Sequence, residues 1–181
     1  MLCIQLRIIL PVLLSLSLLG CSTKPVSDYA VEHDFSQYKT FAFAAAPEGA
    51  VLSIDSGRIE RATAAQLSSK GIKQTDLPSA DLLVKYRIES ATELEPYGGS
   101  IGVGVGIYRR RGGISMRTPP RYRERKYGKI VLEFLNPVSK TIIWRSVSQS
   151  RLTETMSSQK RANFIMKEID LMLKNYPPQA K

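Results

Sequence analysis

Thiol and imidazole chemistry is nearly absent from this sequence. Its 181 residues hold two cysteines and one histidine. Both cysteines, Cys3 and Cys21, lie at the amino-terminal end, so residues 22–181 offer no thiol for a disulfide, a metal or a covalent intermediate. A zinc site needs a cluster of His, Cys or carboxylate ligands. His33 stands alone, and a surface or packed role is its simpler reading. No metal and no cofactor are expected. No G-x-S-x-G elbow occurs, and no lysine sits in phosphate-loop spacing. Gly102-x-Gly104-x-Gly106 alternates strictly and runs into arginines, unlike the dinucleotide-binding fingerprint. Long apolar runs are missing too. Ile8 to Leu19 is broken only by Pro11, Ser15 and Ser17, but it falls short of the ~20 residues a membrane-spanning helix requires. Carboxylates are scarce: 16 against 26 basic residues, a formal net charge of +10.

What is present begins where that apolar run ends, at Leu18-Leu19-Gly20-Cys21. Arg7 supplies a positive n-region ahead of it, as in an export signal. The tetrapeptide resembles the lipobox of bacterial lipoprotein signal peptides, with a branched apolar residue three before an obligatory cysteine. The resemblance implies cleavage before Cys21 and a thioether from its sulfur to diacylglycerol. Residues 1–20 then form the signal peptide, and 21–27 a lipidated tether. Ser22, in place of aspartate, resembles lipoproteins sorted to the outer membrane. What remains, residues 28–178, is long enough for a single domain with its own core.

The positive charge is concentrated. Between Arg109 and Lys129 stand Arg109, Arg110, Arg111, Arg117, Arg121, Arg123, Arg125, Lys126 and Lys129, opposed only by Glu124. The segment carries +8 and the rest of the mature chain +1. Basicity of this kind belongs to one stretch and not to the fold. In an exported protein it points away from nucleic acid and towards lipid phosphates, lipopolysaccharide or acidic partners. Tyr108, Tyr122 and Tyr127 interleave with the arginines, as suits a headgroup interface.

Periodicity supplies the elements. From Asp28 onward, Tyr29, Val31, His33 and Phe35 alternate with Ala30, Glu32 and Asp34; Ser36-Gln37 interrupts, Tyr38, Phe41 and Phe43 resume the apolar pattern, and Pro47-Glu48-Gly49 ends it. Ile54 to Lys70 reads as a helix, capped by Ser53 or Asp55 and closed by Gly71. Leu82, Val84, Tyr86 and Ile88 take one face of a strand and Asp81, Lys85, Arg87 and Glu89 the other. Tyr97 to Tyr127, rich in Gly and Arg and holding Pro119-Pro120, is expected to be a long excursion without regular structure. From Gly128 a strand leads through the turn Asn136–Lys140 into Thr141–Val147. Ala162, Ile165, Met166, Ile169, Met172, Leu173 and Tyr176 then form one helical stripe, stopped by Pro177-Pro178. The expected fold class is α+β: a two-layer sandwich with two helices on one face of a mostly antiparallel four-stranded sheet. Asp28, Asp34 and Asp81 are expected to serve turns and caps, and Trp144 to anchor a helix to the sheet.

Four blocks carry a family resemblance. They are Asp34–Phe41, Ala80–Val84, Ile142-Ile143-Trp144-Arg145, and the closing helix running into Tyr176-Pro177-Pro178. In order and spacing they resemble the bacterial lipoproteins grouped as domain of unknown function 4136. Asn136-Pro137 and Ser146 depart from the family's usual Asp and Gly. The resemblance implies an envelope lipoprotein and a fold, and no activity. The expected function is therefore a non-enzymatic envelope accessory, held by lipid at Cys21, most simply in the outer membrane and facing the periplasm. Its partners are the membrane, anionic lipid or lipopolysaccharide at the basic segment, and an unidentified envelope protein. The alternative is an envelope hydrolase, which would need a concave pocket with converging titratable groups.

Overall fold

Leu82, Leu83 and Val84, buried one after another, set the middle of the sheet. The computed structural model describes residues 24–47, 49, 51–97 and 121–178. Cys21 and the signal segment lie outside the described residues, as do Arg109, Arg110, Arg111, Arg117 and the alternating glycines. The elements are β1 (Val26–Tyr29), a 3-10 turn (Phe35–Gln37), β2 (Thr40–Phe43), α1 (Ile54–Ser69), β3 (Lys73–Gln74), β4 (Leu82–Tyr97), β5 (Arg121–Leu135), β6 (Ile142–Val147) and α2 (Ser158–Leu173).

The class is α+β with two helices, but the sheet has six strands where four were expected, in the order β1-β6-β5-β4-β2-β3. It is mixed: β2 runs parallel to both β3 and β4, and the other pairs are antiparallel. The parallel pairs follow from α1, which returns the chain across the sheet as a crossover helix must. The interruption expected at Ser36-Gln37 is a 3-10 turn, and it divides the extended segment that starts near Asp28 into two separate strands. Asp34 caps the 3-10 turn by accepting from the Ser36 amide at 2.9 Å, and the turn drives Phe35 into the core. Its two halves become β1 and β2, on opposite sides of the sheet. Asp81 fastens the start of β2, accepting from the Thr40 amide at 3.1 Å and its hydroxyl at 2.8 Å. These bonds hold its carboxyl below the usual range.

Ser53 caps α1 through the Ser56 amide, and Gly71 follows its end with φ of 83°, a backbone that favours glycine. In α2 the buried face differs from the expected stripe. Met166 is exposed, and Glu168 is buried in its stead with one carboxylate oxygen unpartnered among the described residues. The reason is that α2 packs on α1 as well as on the sheet, and Thr63 and Glu168 are both buried. Both helices begin at the same end of the sheet. There Asp55 receives Arg58 at 2.8 Å and Arg161 at 2.6 Å, tying the two first turns together.

The other end is aromatic. Phe134 stacks on Trp144 with centroids 4.6 Å apart, and Tyr176 meets both edge-on at 4.7 and 5.3 Å. Phe35 completes the group against Tyr176 at 5.9 Å. Trp144 is thus a buried anchor, as its surroundings in the sequence implied.

The excursion expected over Tyr97–Tyr127 is ordered strand at both of its described ends. β4 and β5 stay paired without a break from Leu83↔Leu135 to Tyr97↔Arg121. Beyond Gly128 this ribbon leaves the body of the domain. Gly128 is the junction: its amide donates to the Leu152 carbonyl at 2.7 Å, and a Cβ there would stand 2.7 Å from the Ile88 Cγ2 methyl. A β-branched side chain at 128 must displace a stiff neighbour beside backbone. Gly128→Val is therefore expected to cost about 1–3 kcal/mol of stability, read as a lowered urea midpoint with an unchanged slope.

Candidate functional site at the arm end

Directly opposite residues of an antiparallel pair share a face. The register therefore sorts the arm into two surfaces. On the helix-free face, Arg121, Arg123, Arg125 and Lys129 of β5 oppose Tyr97, Glu95, Glu93 and Glu89 of β4. Arg123 and Arg125 both reach Glu95, at 2.8 and 3.1 Å, and Arg151 pairs with Glu93. Arg123, by its hydrogen bond, holds the half-buried Glu95 carboxyl below its ordinary range. Towards the body, this face continues into Glu133, a buried carboxylate gripped by Arg87 at 2.7 Å and Arg145 at 3.5 Å.

Of the nine basic residues singled out in the sequence, five are described, and all five lie on β5. Arg121, Arg123, Arg125 and Lys129 share the helix-free face, while Lys126 stands opposite Thr92 on the other. Counting charge along the chain misses what lies across the strand. The four acids Glu89, Glu93, Glu95 and Glu124 nearly balance those five cations. The unopposed excess falls on Arg109, Arg110, Arg111 and Arg117, outside the described residues.

The helix-side face of the arm is different. It carries Ser90, Thr92, Leu94 and Pro96 opposite Gly128, Lys126, Glu124 and Tyr122. Leu94 and Tyr122 are 62 % and 56 % exposed. Where this face meets the body, a cleft of about 340 Å³ opens between the segment after β2, the first turns of α1, and β4. Ala44, Pro47, Leu52, Ile59 and Ile88 line it, with Glu60 and Tyr86 among its polar groups. The Tyr86 hydroxyl donates to Glu60 Oε1 at 2.5 Å. Beside the cleft, Val51, Leu52 and Ile54 stand exposed. Among the described residues thirteen large apolar side chains are exposed, and eight of them lie at this end. Sequence reasoning missed the cleft because its walls come from three separate elements. The unpaired apolar run Val51-Leu52-x-Ile54 at a helix start was the available signal.

The chain enters the fold at this same end. β1 pairs antiparallel with β6, and Val26 sits opposite Val147, which in turn pairs with Val131. From that rung β5 runs back to Arg121 at the arm's end, whereas β1 runs the other way, so Lys24 and Pro25 approach from the arm side.

Other sequence candidates do local work. His33 lies at the aromatic end, stacked on Tyr38 with its Nε2 2.5 Å from the Tyr38 hydroxyl. Among the described residues no group of His, Cys or carboxylates could hold a metal ion, and no helix is long and apolar enough to cross a membrane.

A family model for a domain of unknown function (DUF4136) matches residues 25–178. The chain belongs to this family. This DUF4136 domain is similar in fold to several solved structures. One is a PDZ domain protein from Parabacteroides distasonis, at 14% identity over 87% of this chain and 36% of that one, with a TM-score of 0.49. The chain thus spans about a third of that protein. Another is the PelC dodecamer from Paraburkholderia phytofirmans, at 10% identity over 87% and 99% of the two chains, TM-score 0.47. A third is a DUF4136 family protein from Bacteroides thetaiotaomicron, at 14% identity over 84% and 95%, TM-score 0.47. Values this low say nothing of function. No curated protein matches the sequence.

Burial, and then the bond to Glu60, push the Tyr86 hydroxyl up to about 12. A raised tyrosine contributes stability that is complete below its unfolded value, near 10, and that fades as pH rises through the folded one. Ultraviolet titration is expected to show a late-ionising tyrosine absent in Tyr86→Phe. Glu60→Gln, which removes the facing charge, is expected to bring that transition to lower pH.

Proposed function

We propose that this DUF4136 domain is an envelope lipoprotein, acylated at Cys21, that works as a non-enzymatic binding or assembly accessory on an anionic membrane surface, most simply the periplasmic leaflet of the outer membrane. The observation that carries this reading is that the tether and the arm leave the same end of the sheet. Five residue steps join Cys21 to Val26, a reach of at most about 17 Å. The arm runs ten steps past the Val26 rung, roughly 33 Å at strand spacing. A domain held so closely by lipid brings its arm to the bilayer whichever way it tilts. Pro25 favours extended backbone at Lys24, so the tether starts straight.

Arg109, Arg110, Arg111 and Arg117 then meet headgroup phosphates, each worth about 1 kcal/mol near an anionic surface. Two or more acyl chains make the anchoring firm, at about 0.8 kcal/mol per buried methylene. The alternative, an envelope hydrolase, would draw on the cleft in which Glu60 and Tyr86 meet.

Two outcomes are expected. Cys21→Ser moves the protein from the membrane fraction to the soluble one, and mass spectrometry finds its diacylglycerol adduct missing. Residues 22–181 bind phosphatidylglycerol vesicles or lipopolysaccharide at low salt and release them as salt rises. Replacing the nine basic residues by serine abolishes that salt-dependent binding, and unchanged binding after the replacement excludes the basic segment as the contact.

A further inference from the structure

The arm end carries more than charge. We infer that the helix-side face of the arm rests on the bilayer with Leu94 and Tyr122 at the boundary between headgroups and acyl chains, Glu124 and Lys126 reaching back to water, and the helix-free face with its Arg–Glu pairs turned to the headgroups. The inference rests on the membrane-facing reading above and adds the face, the depth and the residues of the contact.

The register separates the two surfaces along the same arm. Arg123, Arg125 and Glu95 hold one another on one side; Leu94, Pro96 and Tyr122 lie on the other, with the Glu124 carboxylate opposite Leu94. An exposed leucine and tyrosine on a two-stranded ribbon gain nothing from water, and among the described residues nothing covers them. Ion pairing across the helix-free face lowers its affinity for phosphate, and so leaves the apolar face as the arm's distinctive contact. Lys126, on the apolar face but nearer the body, has a long stem able to reach back to the headgroup level. Tyrosine suits the boundary, with an apolar ring and a polar tip. Leu52 and Ile54, exposed beside the cleft at the same end, give the body a second apolar point to rest on. A bilayer is the occupant these features select. The chain leads to it through the short tether, and the boundary of headgroups and acyl chains matches a face on which exposed Leu94 and Tyr122 stand beside charged Glu124 and Lys126.

Trp144 is the sole tryptophan and is buried, so its emission is a constant background. Leu94→Trp and Tyr122→Trp, introduced singly into residues 22–181, report the arm. Val138→Trp, at the opposite end, is the control. Each is mixed with vesicles of phosphatidylglycerol and phosphatidylcholine whose acyl chains carry bromine, which quenches tryptophan at acyl depth. The expected result is a blue shift and quenching at 94 and 122, and neither at 138. In the chain without added tryptophan, Leu94→Ser with Tyr122→Ser is expected to lower the vesicle partition coefficient at least about tenfold at low salt, the loss expected for two partly buried side chains. Vesicle flotation at low salt without quenching at 94 or 122 overturns the insertion and leaves the electrostatic reading standing. No flotation on anionic vesicles at any salt overturns both. Equal quenching at 138 also overturns the assigned face, since the chain would then meet lipid without regard to orientation.

Discussion

The continuous β4–β5 pairing is the constraint on which the rest of this structure depends. It runs from Leu83↔Leu135, inside the body, to Tyr97↔Arg121, outside it. In the body, its helix side supplies Leu82, Val84, Ile130, Leu132 and Phe134 to the core. Beyond Gly128, the same two strands continue with the helices left behind. One period-two register thus decides both which residues hold the domain together and which face of the arm is apolar. A slip by one residue would exchange the faces along the whole length, turning Arg87 towards the helices and Val84 away from the core. Such a slip is opposed at several points at once: by the methyl of Ile88 over Gly128, by the Glu133 carboxylate between two arginines, and by the stacked Phe134 and Trp144.

Much of this was legible in the sequence, for local reasons. Ser53 and Gly71 mark the ends of α1 because a cap and a left-handed residue act on their immediate neighbours. Leu82 to Ile88 alternates in sequence, Leu83 excepted, and Leu83 is buried with Ala42 and Ala80 on the helix-free side. The turn at Asn136–Lys140 is closed by the Asn136 side chain, which accepts from the amides of Val138 and Ser139. The family resemblance rested on such blocks, and the match over residues 25–178 agrees with it.

What stayed hidden depends on distant partners. Arg121 to Tyr127 has no apolar alternation, so its strand character is invisible until Glu95, Glu93 and Glu89 are set opposite it. The interruption at Ser36-Gln37 was legible, but not that β1 and β2 on either side of it pair with different strands, β6 and β4. The burial of Glu168 lies outside the apolar stripe, because the second surface against which α2 packs belongs to α1. The charge of the basic segment was counted correctly along the chain, but its effect depends on acids from another strand. Of the candidate site, the sequence showed the basic residues. Their two-faced arrangement and the cleft beside them appeared only with the fold.

The placement of β1 has a mechanical side. Antiparallel hydrogen bonds lie perpendicular to their strands. Pulling on the chain ahead of Val26 draws β1 lengthwise along β6, in the direction of its own axis. The bonds over Val26–Tyr29 are then strained sideways together and cannot be peeled one after another. Asp28 opposite Arg145, and the Ser27 hydroxyl bonded to Ser146 at 2.9 Å, lie along the same sliding line. A short edge strand, weak against fraying, is in this geometry the stronger way to fasten a domain to a moving leash.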